Sequence, residues 1–324
     1  MEKVIIIGAG PAGLSTAYKL LKSGKSIEVL ILESSQYTGG ISRTHIFENN
    51  HMDLGGHRFF TKSSEVMDLW TEIMPLQGKP AKDDTALGRT PKLKEQGPDP
   101  EKTDKVFLRR RRISRIFFLK KFFDYPLSIK FKTFANMGLA RTLKAGFGYV
   151  WASIFKRKEK NLEDFYINRF GKPLYEMFFE GYTQKVWGIH PSQISPDWGA
   201  QRVKGLSLFK ALFNIITKAF KKPGNVETSL IEEFFYPAKG PGSLYTYMLH
   251  SIASLGGVIK HNHTVTKLNF TDNKTAKVTA ECEDGTLAEF TASAVFSSMP
   301  IKDLTQALGS IVPEKTNEIA VNLP

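Results

Sequence analysis

The residues whose types and spacing suit chemistry stand at the start of the chain. Gly8-Ala9-Gly10-Pro11-Ala12-Gly13 has the spacing GxGxxG, and Glu33 follows twenty residues after the last glycine. This combination suits a dinucleotide. Gly8 permits a tight turn, Gly10 lets a pyrophosphate reach the backbone, and Gly13 allows close helix–strand packing. Pro11 and Ala12 carry the turn into a helix N-terminus, whose partial positive charge favours phosphate. Glu33 is placed to hold a ribose hydroxyl pair. An ordinary glycine-rich turn is the alternative, and it would need no such register of strand, helix and acid.

The elements that must position these residues follow from periodicity. Val4, Ile5, Ile6 and Ile7 form the continuous apolar run of a buried strand, and Leu14, Ala17, Tyr18 and Leu21 recur at helical spacing. Gly24 ends that helix, and a β-rich run over 27–32 delivers Glu33. The spacing predicts a βαβ unit with the glycine turn at its first strand–helix junction.

A second constellation follows: Gly39-Gly40, then Arg43-Thr44, then Asp53-Leu54-Gly55-Gly56-His57-Arg58. The spacing Glu33-x5-Gly39-Gly40 with a nearby Arg-Thr resembles the FAD segment shared by amine oxidases, protoporphyrinogen oxidases, phytoene desaturases and UDP-galactopyranose mutases. In true amine oxidases the arginine usually follows the glycine pair directly, whereas Ile41 and Ser42 intervene here. The resemblance implies FAD as cofactor and an α/β fold, with a Rossmann-like FAD-binding domain of glutathione-reductase type and an inserted, mainly helical substrate or cap domain. It also implies that Gly55 and Gly56 let the flavin ring lie close, and that His57 matches a mutase histidine near the flavin. A histidine that only bonds local backbone is the other reading of His57. Pro241-Gly242-Ser243-Leu244, Gly256-Gly257-Val258 and Val265-Thr266-Lys267-Leu268 resemble the second FAD-binding stretch, in which Val265 would contact the adenine through its backbone. The run 294–300 resembles the strand that returns toward the flavin. The superfamily's closing Gly-Asp or Ala-Gly-Arg segment has no counterpart before Pro324, so a C-terminally truncated chain is expected.

In the middle of the chain, Phe122-Phe123-Asp124-Tyr125-Pro126-Leu127, Tyr182-Thr183-Gln184-Lys185-Val186-Trp187-Gly188, Ser195-Pro196-Asp197-Trp198 and Arg202 resemble a bacterial group related to the mutases and protoporphyrinogen oxidases. Tyr182 and Trp187 are candidates to stack on a substrate ring, and Arg202 to pair with a phosphate or carboxylate. Packing in a helical core is the other role open to each aromatic.

Composition bounds the rest. A chain of 324 residues that is 41% apolar has enough material for about two domains and a substantial core. The single cysteine, Cys282, excludes an internal disulfide or a cysteine-based zinc site and is expected as a small buried residue in a strand. No metal-ligand spacing, no GxSxG and no nucleic-acid module is present. Met1 runs straight into a strand, which predicts no cleavable signal peptide and a cytoplasmic chain. The net charge is +13, yet residues 105–160 hold sixteen Lys/Arg against Asp124 and Glu159, or +14, so the remainder carries −1. That basic segment admits three readings: a cationic rim for a phosphorylated substrate, a peripheral membrane-docking face at the inner surface, or a solvated surface. Phe131, Phe134, Met137, Leu139 and Leu143, interleaved with Lys130, Lys132, Arg141 and Lys144, suit an interfacial helix or packing onto a sheet equally.

The expected organisation is a first FAD-binding part over 1–77, a disordered charged insertion over 78–104, a substrate or cap subdomain of strands then helices over 105–229, and a second FAD-binding part over 230–324. The expected function is FAD-dependent hydride abstraction from a small organic substrate. A mutase-like isomerase acting on a sugar nucleotide with reduced FAD is the first alternative, and an inactive dinucleotide-binding fragment the second.

Overall fold

The computed structural model describes residues 2–55, 58–124, 131–202, 233–272 and 275–323. They form two compact units, one of Met1–Arg110 with Phe234–Pro324 and one of Arg111–Glu233.

The first unit is built on a four-stranded parallel sheet. Strand β1 (Glu2–Ile7) lies between Ala294–Ser297 and β2 (Ile27–Leu32), and Val258–Lys260 adds the far edge beyond β2. Both faces of this sheet are covered, which is why Val4–Ile7 of β1 and Val29–Leu32 of β2 read as continuous apolar runs rather than as alternating ones. Val4, Ile6, Val29 and Ile31 face one way, onto Leu14, Ala17 and Tyr18 of helix α1 (Pro11–Lys22) and onto Leu244, Met248 and Ile252 of helix Gly242–Ser254. Ile5, Ile7, Leu30 and Leu32 face the other way, onto Val265, Leu268, Val278 and Ala280 of an antiparallel sheet. That sheet has the order His263–Asp272, Thr275–Cys282, Leu287–Ala292. Burial of each fully enclosed aliphatic side chain is worth about 1.5–3 kcal/mol, so these two layers hold the first strand–helix junction firmly. Cys282, expected as buried, closes its strand half-buried, with Sγ 3.7 Å from His263 Nε2.

The segment 78–104, expected to be disordered, is ordered instead. It carries a short helix, Lys82–Ala86, and returns by main-chain bonds from Gly78 to Pro98 and from Lys94 to Gln77. The reason is electrostatic. Asp84 is fully buried and accepts from Gln77 Nε2, the Ala81 amide and Arg110 Nη1 at 3.2, 3.1 and 3.0 Å. A composition rich in charge reads as solvated only while its partners are unknown, and Arg110 comes from a strand outside the segment.

The second unit combines a hairpin, Arg115–Phe118 with Lys121–Asp124, and a set of helices that includes Leu139–Ile154 and Leu162–Phe170. Its core is aromatic: Phe170 and Phe179 stack at 4.8 Å, and Tyr166 stacks on Phe179 at 4.7 Å. Tyr175 is buried there, and desolvation pushes its phenol well above the usual tyrosine range.

Candidate cofactor site

The junction between β1 and α1 is made for an anion. Gly10 caps α1 in an extended conformation without a side-chain cap, Pro11 occupies the first turn, and no acidic side chain stands in that turn. The leading amides of the helix are therefore left for a ligand rather than satisfied by the protein's own side chains. Gly8 adopts a positive φ of 99°, and its amide donates to the Leu32 carbonyl at 2.8 Å. A Cβ on Gly8 would come within 2.3 Å of Ser298 Oγ, a hydroxyl that itself donates to the Ile7 carbonyl. A Cβ on Gly13 would sit 1.9 Å from the Gly8 carbonyl oxygen, so that glycine is fixed by helix–strand contact.

Gly10 is different. The nearest distant atom to a Cβ placed on it is Gly40 Cα at 3.9 Å, and a Cβ on Gly40 would reach Gly10 Cα at 3.1 Å. The two glycine motifs, thirty residues apart, face one another backbone to backbone. The second is anchored to the first by the Gly39 amide, which donates to the Ala9 carbonyl at 2.9 Å. Arg43 follows with its guanidinium 4.5 Å from the centre of the Tyr37 ring, a cation–π contact that holds the side chain.

Glu33 closes the same cradle. Its Oε2 accepts from the Ala9 amide at 2.7 Å, and Oε1 accepts from the Ser35 amide and hydroxyl at 3.0 and 2.8 Å. A carboxylate offers about four lone-pair sites. The carboxylate is therefore oriented by the turn itself and keeps acceptor capacity on Oε2.

A half-buried polar chain lies behind the second glycine motif. Thr44 Oγ1 donates to Asp53 Oδ1 at 3.0 Å and accepts from the Gly242 amide at 3.0 Å, while the Tyr236 hydroxyl donates to Asp53 Oδ2. Burial, then the bond to Asp53, raise the Tyr236 phenol above the ordinary tyrosine value. Sequence reading missed Tyr236 and Ser35, since neither carries a motif of its own, whereas Ser298 lies in the run 294–300 that sequence singled out.

Other expected residues fall differently. Gly55 follows the strand Asn50–Asp53, whereas Gly56, His57 and the side chain of Arg202 lie outside the described residues. The Val265 side chain is buried in the core, so only its backbone is available to a ligand, and a β-bulge follows at Thr266. Tyr182 and Trp187 both lie on Gly181–Trp187 in the second unit, but five residues apart they point roughly 140° from one another. Tyr182 is exposed, and Trp187 packs edge-on against Trp198 at 4.9 Å.

A parallel α/β sheet with a glycine turn at a helix N-terminus and an acid at the end of the next strand defines a dinucleotide-binding protein. The family profile described as "Flavin containing amine oxidoreductase" matches residues 11–320, and the chain belongs to that family. Its cofactor is FAD. The backbone cradle, the uncapped helix and the oriented Glu33 fit that group. An L-amino-acid oxidase of Sistrurus catenatus edwardsii is 43% identical over 67 residues, 21% of this chain and 13% of the oxidase. A zeta-carotene desaturase of Zea mays is 38% identical over 72 residues, 22% of this chain and 12% of the desaturase. Among solved structures, a reduced UDP-galactopyranose mutase aligns over 100% of this chain and 62% of its own, with TM-score 0.71 and 20% identity. A protein described as a putative protoporphyrinogen oxidase, from Exiguobacterium sp. 255-15, aligns over 94% of this chain and 61% of its own, with TM-score 0.61 and 15% identity. The chain thus spans less than two thirds of the length of these relatives.

Proposed function

We propose that this chain is the FAD-holding part of an oxidoreductase that accepts hydride from a small organic substrate. The observation that carries the reading is the close backbone approach of Gly10 and Gly40 at the N-terminus of α1, which has no side-chain cap, with Glu33 oriented beside it. When bound, FAD supplies a two-electron acceptor, so the protein has only to bind, orient and shield. Gly10 and the first turn of α1 hold the pyrophosphate, Glu33 holds the ribose hydroxyls, and Arg43 stands over the second glycine motif. The Val265 backbone takes the adenine edge. The Thr44–Asp53–Tyr236 chain fixes the strand that leads to Gly55, Gly56 and His57, the segment assigned here to the flavin ring. Tyr182, Trp187 and Arg202 are assigned to the substrate side.

The test is anaerobic. Protein loaded with FAD is mixed with amino acids, polyamines, porphyrinogens and polyenes in turn, and bleaching of the flavin absorbance is followed. Bleaching by one class supports the oxidoreductase. Turnover of a UDP-hexose only after chemical reduction, with no net oxidation, replaces it by the isomerase reading. A chain that never takes up FAD overturns both.

A further inference from the structure

The helix Leu139–Ile154 turns the wrong face to solvent. Its small residues Ala145 and Ala152 are buried, and Gly148 lies so close to Pro173 that a Cβ would meet the ring at 2.4 Å. The large apolar residues Leu139, Leu143, Phe147, Trp151 and Ile154 are between 52% and 77% exposed. At about 100° per residue these five fall within an arc of roughly 120°, on the side opposite the small-residue seam. Trp151 packs at a tilt against Phe155, ring centres 4.3 Å apart, which extends the apolar stripe past the last turn. A contiguous stripe of this kind is unusual on a soluble surface and marks an interaction face.

Charge says what covers it. Lys144 borders the stripe, and Lys156-Arg157-Lys158-Glu159-Lys160 follows directly on Phe155. Lys144 and Lys158 are exposed, and among the described residues neither is in an ion pair with a carboxylate. The helix is 16 residues long, and no helix among the described residues is long and apolar enough to cross a membrane. An apolar arc with a Trp, edged by Lys and Arg on a short surface helix, is the chemistry of a segment that lies in a bilayer interface with its apolar side among the acyl chains. A protein partner would have to offer a long apolar groove rimmed with carboxylates. An anionic bilayer presents both features at once.

We propose that Leu139–Phe155 docks this protein on an anionic lipid surface, with Leu143, Phe147, Trp151 and Ile154 inserted and the flanking Lys and Arg at the headgroups. The test is co-sedimentation of the full chain with phosphatidylcholine vesicles, with and without about 30 mol% phosphatidylglycerol. The expected result is binding to the anionic vesicles only, weakened at least tenfold by salt at about 1 M. Phe147→Ser with Trp151→Ser should lower partitioning at least tenfold, since each removes exposed apolar surface and no core packing. Lys144→Glu with Lys158→Glu should weaken binding while leaving Trp fluorescence of the free protein unchanged. As a second readout, brominated acyl chains should quench Trp fluorescence of the parent and lose that quenching in Trp151→Phe. Absence of binding to anionic vesicles at low salt overturns the proposal. So does binding that survives the double Ser variant, or a dimer in sedimentation velocity that the double variant abolishes.

Discussion

Gly10→Ala separates cofactor binding from folding, and its magnitude can be worked from the geometry. Gly10 has φ −79° and ψ −177°, a conformation that alanine adopts without strain. Its Cβ would meet nothing closer than Gly40 Cα at 3.9 Å, so the apo fold has room for it. The weaker capping preference of Ala costs about 0.5–1 kcal/mol, and the stiffer unfolded chain returns about 0.4–1 kcal/mol. Apo stability should therefore change by less than about 1 kcal/mol. With FAD the outcome differs, because the methyl group stands beside the first-turn amides assigned to the pyrophosphate and hinders its close approach to the backbone. Loss of one charge-assisted hydrogen bond, at about 1.5–3 kcal/mol, corresponds to a Kd raised roughly 10- to 150-fold. The assay pairs apo thermal melting with a titration of protein into FAD, followed by flavin fluorescence. Gly13→Ala is the control, since its Cβ would lie 1.9 Å from the Gly8 carbonyl and must displace backbone. It should lower the apo melting temperature by several degrees, at a cost of about 1–3 kcal/mol. Wild-type FAD affinity in Gly10→Ala would refute the cradle, and so would an apo melting temperature as low as that of Gly13→Ala.

Glu33→Gln keeps one oxygen for the Ala9 amide but trades charge-assisted bonds for neutral ones, so FAD should bind about tenfold more weakly. An unchanged Kd in the same titration would count against the ribose role. Arg110→Ala leaves the buried Asp84 carboxylate without its cation and should destabilise the chain by about 3–5 kcal/mol in urea. It should also open 78–104 to limited proteolysis before the rest of the first unit, and an unaltered cleavage pattern would show that the ion pair does not order the segment. Tyr236→Phe addresses pH. The Tyr236 phenol is raised in the folded chain, so its contribution is full below about pH 10, the unfolded value, and is lost as pH climbs above it. The variant should therefore show a shallower alkaline fall in stability above pH 10 than the parent, and equal slopes would refute the contribution of this residue.

Much of the first unit was readable because its information is local. Four consecutive aliphatics, a GxGxxG turn, a helical stripe and an acid after the second strand specify a βαβ unit from neighbouring residues alone, and the parallel sheet follows from the need to cover both faces. What tertiary structure decided rests on partners far apart in the chain. Asp84 is ordered by Arg110, twenty-six positions away, and Asp53 is held by Tyr236, so neither bond has a sequence period to reveal it. The helix Leu139–Ile154 makes the point most plainly. Periodicity shows an apolar stripe and a stripe of small residues, but not which of them is buried. Close approach of Pro173 to Gly148 selected the small side, because only there can a neighbouring backbone come within contact distance, and the large side was left for solvent.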